Sequence, residues 1–155
     1  MDPRSRPEWS HAAWPWVVSA AGGVLLGLSA YAFQYAEGLS YFRDDPRACV
    51  NCHVMREAYD SWHHASHRAH AVCNDCHTPH DPVSKYLVKA ENGFWHSKAF
   101  TFRDFPEPIR IRPRNAAVVR RNCVECHHDL VAAIVGPGET DCVRCHEGAG
   151  HGPPR

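Results

Sequence analysis

Residues 49–53 read Cys49-Val50-Asn51-Cys52-His53, and the pattern returns as Cys73-Asn74-Asp75-Cys76-His77, Cys123-Val124-Glu125-Cys126-His127 and Cys142-Val143-Arg144-Cys145-His146. The four runs use all 8 cysteines of a 155-residue chain that also holds 13 histidines. Cys-x-x-Cys-His is the attachment pattern of c-type haem. Two thiols add across the two vinyl groups of one porphyrin, and the adjacent imidazole is placed to ligate its iron. Rival uses of paired cysteines do not call for it. A disulfide framework or a zinc site needs no histidine after each pair, and a thioredoxin-like redox pair occurs once, in a βαβ setting that this chain lacks. The expectation is four covalent haem c groups, whose propionates make the assembled protein more acidic than its sequence.

Outward from the motifs, composition narrows the function. Basic and acidic side chains balance at 17 each, with a pI near 7.2. Such a chain lacks the basic excess of a nucleic-acid binder, so no nucleic-acid partner is expected. In so short a chain, 8 cysteines and 13 histidines suggest a small fold stapled by added groups.

Ahead of the first motif, no residue from Ala12 to Ala36 is charged. Val17, Val18, Val24, Leu25, Leu26 and Leu28 give the segment its apolar character. Trp14 and Trp16 at one end and Tyr31 and Tyr35 at the other resemble interfacial belts, and about 20 apolar helical residues suffice to span a bilayer. A cleaved signal peptide is the rival reading, because Ala30-Tyr31-Ala32 has the small-x-small form of a cleavage site. The tryptophans and the excess length favour a retained single-pass anchor in the inner membrane and in contact with its lipid. Haem attachment occurs outside the cytoplasm, so residues 1–11 are expected in the cytoplasm, 12–36 in the membrane and 37–155 in the periplasm. Arg4 and Arg6 agree with that orientation.

The motifs fall into two sequence pairs, separated by a connector more than twice as long as the spacing within either pair. Two dihaem units are the simplest reading. Within the connector, Asp81 as cap and Pro82 in the first turn predict a helix to about Phe100. Phe105-Pro106-Glu107-Pro108 then interrupts, and Asn115 is a candidate cap for a helix leading into Cys123. No run alternates as a strand would. The expected fold is mainly α with much irregular loop, an N-terminal transmembrane helix followed by a small multihaem domain whose core is the haems themselves. On the Asp81 helix, Lys85, Lys89 and His96 share one face, most simply a solvated basic one. Arg103, Arg110, Arg112 and Arg114, among prolines, read as a solvated linker.

Each low-spin haem takes two axial ligands, and the motif histidines supply at most one each. The other histidines are His11, His63, His64, His67, His70, His80, His96, His128 and His151. His11 precedes the anchor, and His128 reads as exposed. His151 lies on a tail with Gly148, Gly150 and Gly152 that can fold back towards another haem, and one of His63, His64, His67 and His70 is expected to ligate. Met55, two residues past His53, is the other candidate, because thioether ligation raises haem potential. The residues alone leave His53 and Met55 level.

The single anchor, Cys49-Val50-Asn51-Cys52-His53-Val54-Met55, Ser61-Trp62-His63-His64-Ala65-Ser66-His67, Cys73 to His77, Lys85-Tyr86-Leu87-Val88-Lys89-Ala90 with Trp95-His96, and the two closing motifs together resemble the NapC/NirT family of membrane tetrahaem cytochromes. The likeness covers about Ala12 to His151. It is strongest to the short members that serve as small subunits of cytochrome c nitrite reductase. The resemblance implies menaquinol oxidation near the first haem, with Met55 on its iron in place of His53 and Lys89 as the lysine of the quinol site. His96 stands where some members carry an aspartate beside that haem. It further implies that His77 pairs with His151 and His127 with His67, His64 and His70 being the alternatives to His67. The fourth haem keeps His146 and takes its second ligand from a lysine of the catalytic partner, a periplasmic pentahaem nitrite reductase. The alternative is a quinol dehydrogenase of the same family serving another reductase, such as that for nitrate.

Overall fold

The structure, a computed structural model, describes residues 9–133 and 141–151. Residues 1–8 of the expected cytoplasmic segment, and 134–140 and 152–155 of the expected periplasmic part, including Gly152, lie outside the described residues. Among those described, every regular element is helical and no strand forms. The chain divides into two compact units, Met1–Ser40 and Tyr41–Arg155.

The first unit is dominated by helix α1, Trp9–Tyr35. Its Ala13–Tyr35 part has a mean hydropathy of 1.6, and protein buries none of it. Trp14, Val17, Leu25, Leu26 and Leu28 are all exposed. A helix that is apolar all round and this long can cross a membrane. It ends one residue short of the uncharged segment. Glu37 then adopts a left-handed φ of 50°, and Gly38 packs so closely on the Phe33 ring that a Cβ would collide with it.

The second unit contains α2 (Arg56–His63), α3 (Cys73–His77), α4 (Pro82–Phe102), α5 (Pro113–Cys126) and α6 (His128–Val131), joined by 3₁₀ turns and loops. Helix α4 starts as its sequence predicts. The Asp81 carboxylate accepts the Ser84 N–H at 2.8 Å, and Pro82, whose missing N–H costs nothing there, takes the first turn. The helix runs to Phe102 and stops at Arg103, which is left-handed with φ 54°.

Helix α5 departs from expectation. Pro113, with its φ already helical, opens it behind Arg112, so Asn115 lies inside the helix and does not cap it. The Asn115 side chain instead donates to Asn92 Oδ1 at 2.9 Å and ties α5 to α4. Two linker arginines are likewise not merely solvated. Arg112 lies 4.5 Å from the Trp95 ring centre, and Arg114 pairs with Glu91 at 2.7 Å.

The polypeptide buries little of itself. Among the described residues, Ala48, Pro79 and Val88 are the buried apolar ones, Thr78 and Asn122 the buried polar ones, and no large side chain is fully buried. A unit with so little apolar burial depends on added groups for its core.

Candidate haem-binding site

The four motifs sit on different local structures. Cys49 lies in the 3₁₀ turn Pro46–Asn51, which Asp45 caps by accepting the Arg47 N–H at 2.9 Å. Hydrogen bonds from the Arg47 side chain and backbone bring the Asp45 carboxyl down to about 2. His53 opens the next 3₁₀ turn, and Met55, 37% exposed, closes it. The second motif forms α3, and the third ends α5, with His127 as its C-cap. The fourth begins in the 3₁₀ turn Cys142–Arg144.

None of the eight cysteines is in a disulfide, and Cys52, Cys126 and Cys145 are exposed. Motifs that follow one another in sequence also lie near one another in space, since α3 packs with α5 and α5 meets the Cys142–Arg144 turn. The Cys73 thiol hydrogen-bonds to Cys49, bringing Cys49 down to about 7 and pushing Cys73 up. Burial raises Cys76, with the nearby Cys123 adding to it; burial also raises Cys123, with Cys142 adding to it. The long connector therefore does not hold the second and third motifs apart.

What joins those two is Asn122, only 3% exposed. A helix as short as α3 leaves its last carbonyls without intrahelical donors. The Asn122 amide nitrogen lies 3.0, 3.1 and 2.8 Å from the carbonyl oxygens of Asp75, Cys76 and Thr78 and donates to them. Its Oδ1 finds no partner among the described residues. His80 adds a second link, with Nε2 3.0 Å from the Asp75 carbonyl and Nδ1 3.3 Å from a Glu125 carboxylate oxygen. The Asp75 carbonyl first, then Glu125, raise its pKa, since only the protonated ring donates from both nitrogens. Neither Asn122 nor His80 had a spacing signal in the sequence, because each acts across a tertiary contact.

Two pairs of histidines face each other. The ring centroids of His77 and His151 are 6.0 Å apart, and those of His67 and His127 are 5.9 Å apart. Two imidazoles on opposite sides of one metal, with metal–nitrogen bonds of about 2 Å, have ring centres roughly 6 Å apart. Burial, and then the His151 ring, hold His77 below its ordinary value, in the neutral form that can ligate.

The other histidines of the cluster are engaged differently. His63 accepts from Arg68 Nε at 2.9 Å, and exposed His64 donates from Nδ1 to the Asp60 carbonyl at 2.8 Å. His70 is exposed after the Ser66–Ala69 turn, and His128 is exposed beside Asp129. Neither His53 nor His146 has a second imidazole opposite it among the described residues.

Around the first motif, an open cleft of about 630 Å³ is lined by His53, Val54, Phe100, Arg103, Phe105 and Glu107. Phe100 and Phe105, with ring centroids 4.7 Å apart, give it an apolar wall, and Arg103 gives it a cation. The Lys85 and Lys89 face is not the solvated one that periodicity alone suggests. Lys85 Nζ lies 2.6 Å from an Asp44 carboxylate oxygen. Lys89 Nζ donates to the carbonyls of Tyr41 and Arg43 at 3.1 Å each and lies 3.4 Å from Asp44. Only 16% of the Lys89 side chain is exposed, and its charge helps lower Cys49. His96, two turns along the same helix face, is held below its ordinary pKa by burial and then by Arg112, which keeps it unprotonated at neutral pH.

No set of three or more His, Cys, Asp and Glu side chains converges as a separate metal site among the described residues. Paired thiols with a histidine after each, and imidazoles opposed at metal-bridging distance, mark the class as c-type cytochromes, proteins with covalently bound haem. The NapC/NirT cytochrome c family, N-terminal region, matches residues 10–107, and the chain belongs to that family. It is 36% identical over 143 residues to the cytochrome c-type protein NrfH of Wolinella succinogenes, covering 83% of this chain and 81% of that one. It is 30% identical over 131 residues to the cytochrome c nitrite reductase subunit NrfH of Nitratidesulfovibrio vulgaris, covering 84% and 80%. One chain of a crystal structure of the cytochrome c nitrite reductase NrfHA complex bound to the HQNO inhibitor matches with a TM-score of 0.58 and 30% identity, over 84% of this chain and 90% of that one.

Proposed function

We propose that this chain is a single-pass inner-membrane cytochrome with four haems that oxidises menaquinol and delivers the electrons to a periplasmic pentahaem nitrite reductase subunit. The observation that carries the reading is the succession of neighbouring motifs, with Cys73 hydrogen-bonded to Cys49, Asn122 donating from beside the third motif to the second, and α5 packed on the Cys142–Arg144 turn, an order that would offer electrons a continuous route. The names of the relatives, a nitrite reductase subunit and a chain of the NrfHA complex, support the choice of partner. Residues 1–11 lie in the cytoplasm, 12–36 in the membrane and 37–155 in the periplasm.

Each cysteine pair would hold one haem, which when bound would supply one-electron transfer. His77 with His151, and His127 with His67, would hold the second and third. Met55 would hold the first. His146 would hold the fourth together with a lysine of the partner, in keeping with the lack of an imidazole opposite it among the described residues.

Quinol oxidation releases two protons with its two electrons, so the chain must hold the quinol oxygen and take a proton. Lys89 is fixed by two carbonyls beside Cys49, and its 3.4 Å contact with Asp44, the longest of the three, is the one a quinol oxygen can replace. Its charge favours the anionic form of that oxygen, and unprotonated His96 accepts the proton.

Reduction by a menaquinol analogue tests the reading. Lys89→Leu and His96→Leu should each slow it roughly 100-fold, while dithionite still reduces all the haem and the catalytic subunit still binds. Wild-type rates in both variants would move the quinol site elsewhere. Electrons that reach a nitrate reductase but not the nitrite-reducing subunit would favour the alternative partner.

A further inference from the structure

His67 and His151 are held by the same device, and each is held by the other's neighbourhood. His67 Nδ1 lies 2.9 Å from the carbonyl oxygen of Ala149, 82 positions away and two residues before His151. His151 Nδ1 lies 3.0 Å from the carbonyl oxygen of Ala58, 93 positions away in α2, the helix that leads into the Ser66–Ala69 turn bearing His67. A carbonyl oxygen can only accept, so the proton of each ring is on Nδ1 and the lone pair is on Nε2. That is the tautomer a metal requires, and the hydrogen bond also orients the ring and raises its basicity. Ser66 Oγ, 3.2 Å from His67 Nδ1 and 3.5 Å from the Ala149 oxygen, closes around the same contact.

Resting on the ligand pairs proposed above, we propose that the segment ending at His151 sets the axial geometry of two haems at once. It supplies His151 to the second haem directly, and through the Ala149 carbonyl it positions His67 for the third. Ala149 is a positioning residue acting through its backbone. A displacement of this segment therefore reaches both bis-histidine centres, although only one of them takes a ligand from it.

The test uses the full haem-loaded chain and low-spin ferric electron paramagnetic resonance with a redox titration. His151→Ala should abolish one bis-histidine signal and displace the other in both position and midpoint potential. Loss of one signal with the other unmoved would overturn the shared role while leaving the ligand assignment intact. Two unmoved signals would overturn the assignment itself.

Gly150 supplies a second measurement that keeps every ligand. A Cβ at Gly150 meets nothing within 4 Å, so Gly150→Ala should leave both signals unchanged. Gly150→Pro instead biases Ala149 towards extended backbone and turns its carbonyl away from His67, so it should displace both. If the proline and alanine variants give the same spectra, the Ala149 carbonyl does not position His67.

Discussion

The inner pair of motifs and the outer pair are built differently. The second and third ride on α-helices, α3 and the end of α5, are latched together by Asn122, and have their histidines opposite other imidazoles of the same chain. The first and fourth sit in 3₁₀ turns, and no imidazole faces His53 or His146 among the described residues. A motif that exchanges electrons only with its neighbours gains from rigid, internally completed ligation. One that meets a quinol or a partner protein must keep a side open. The difference teaches that the interior of the second unit is organised about the second and third motifs, which leaves the two ends free for the exchange proposed above.

Removing attachment sites should break this contrast most visibly. Cys73→Ala with Cys76→Ala should leave no folded second unit, while Cys142→Ala with Cys145→Ala should leave a folded chain short of one haem, as read by intact mass and protease resistance. Equal damage from both pairs would erase the distinction.

Next in size, Asn122→Leu strips the side-chain amide donor from the Cys76 and Thr78 carbonyls and leaves the Asp75 carbonyl only its bond to His80. Leaving such groups buried and unsatisfied should lower stability by roughly 2–4 kcal/mol, measured by thermal unfolding of the haem-loaded chain. Full attachment with unchanged stability would mean that Asn122 does not hold the inner motifs together.

At the first motif, Met55→Leu is close in volume, so stability should change by less than about 1.5 kcal/mol. The methionine–iron signature of one haem should disappear and the other three spectra remain. An unaltered spectrum would leave His53 as the ordinary ligand.

The smallest effect is expected at the half-exposed Asp44, whose pKa is lowered chiefly by its hydrogen bond from Lys85. A carboxyl depressed by folding stabilises fully above its unfolded pKa of about 3.9, and that contribution fades as pH falls through the lower folded value. Asp44→Asn should therefore cost under about 1 kcal/mol at neutral pH. The difference from wild type should shrink on acidification, and a difference that grew would assign Asp44 another role.

Short spacings made the cysteine pairs, their histidines, the apolar α1 and the Asp81-Pro82 start of α4 legible in the sequence, because each depends on neighbours within a turn or on the length of one segment. The start of α5 lies at Pro113 and not at the Asn115 cap that the sequence suggests, since the proline satisfies the same local requirement earlier in the chain. The meeting of His67 with His127, the Asn122 latch and the capture of Lys89 by the segment before the first motif were decided by the tertiary structure. Each joins groups far apart in the chain, and which of several chemically equal histidines or amides arrives is set by the packing of whole elements. Periodicity records a side chain's own element and face, whereas a long-range contact also depends on where the other element comes to rest.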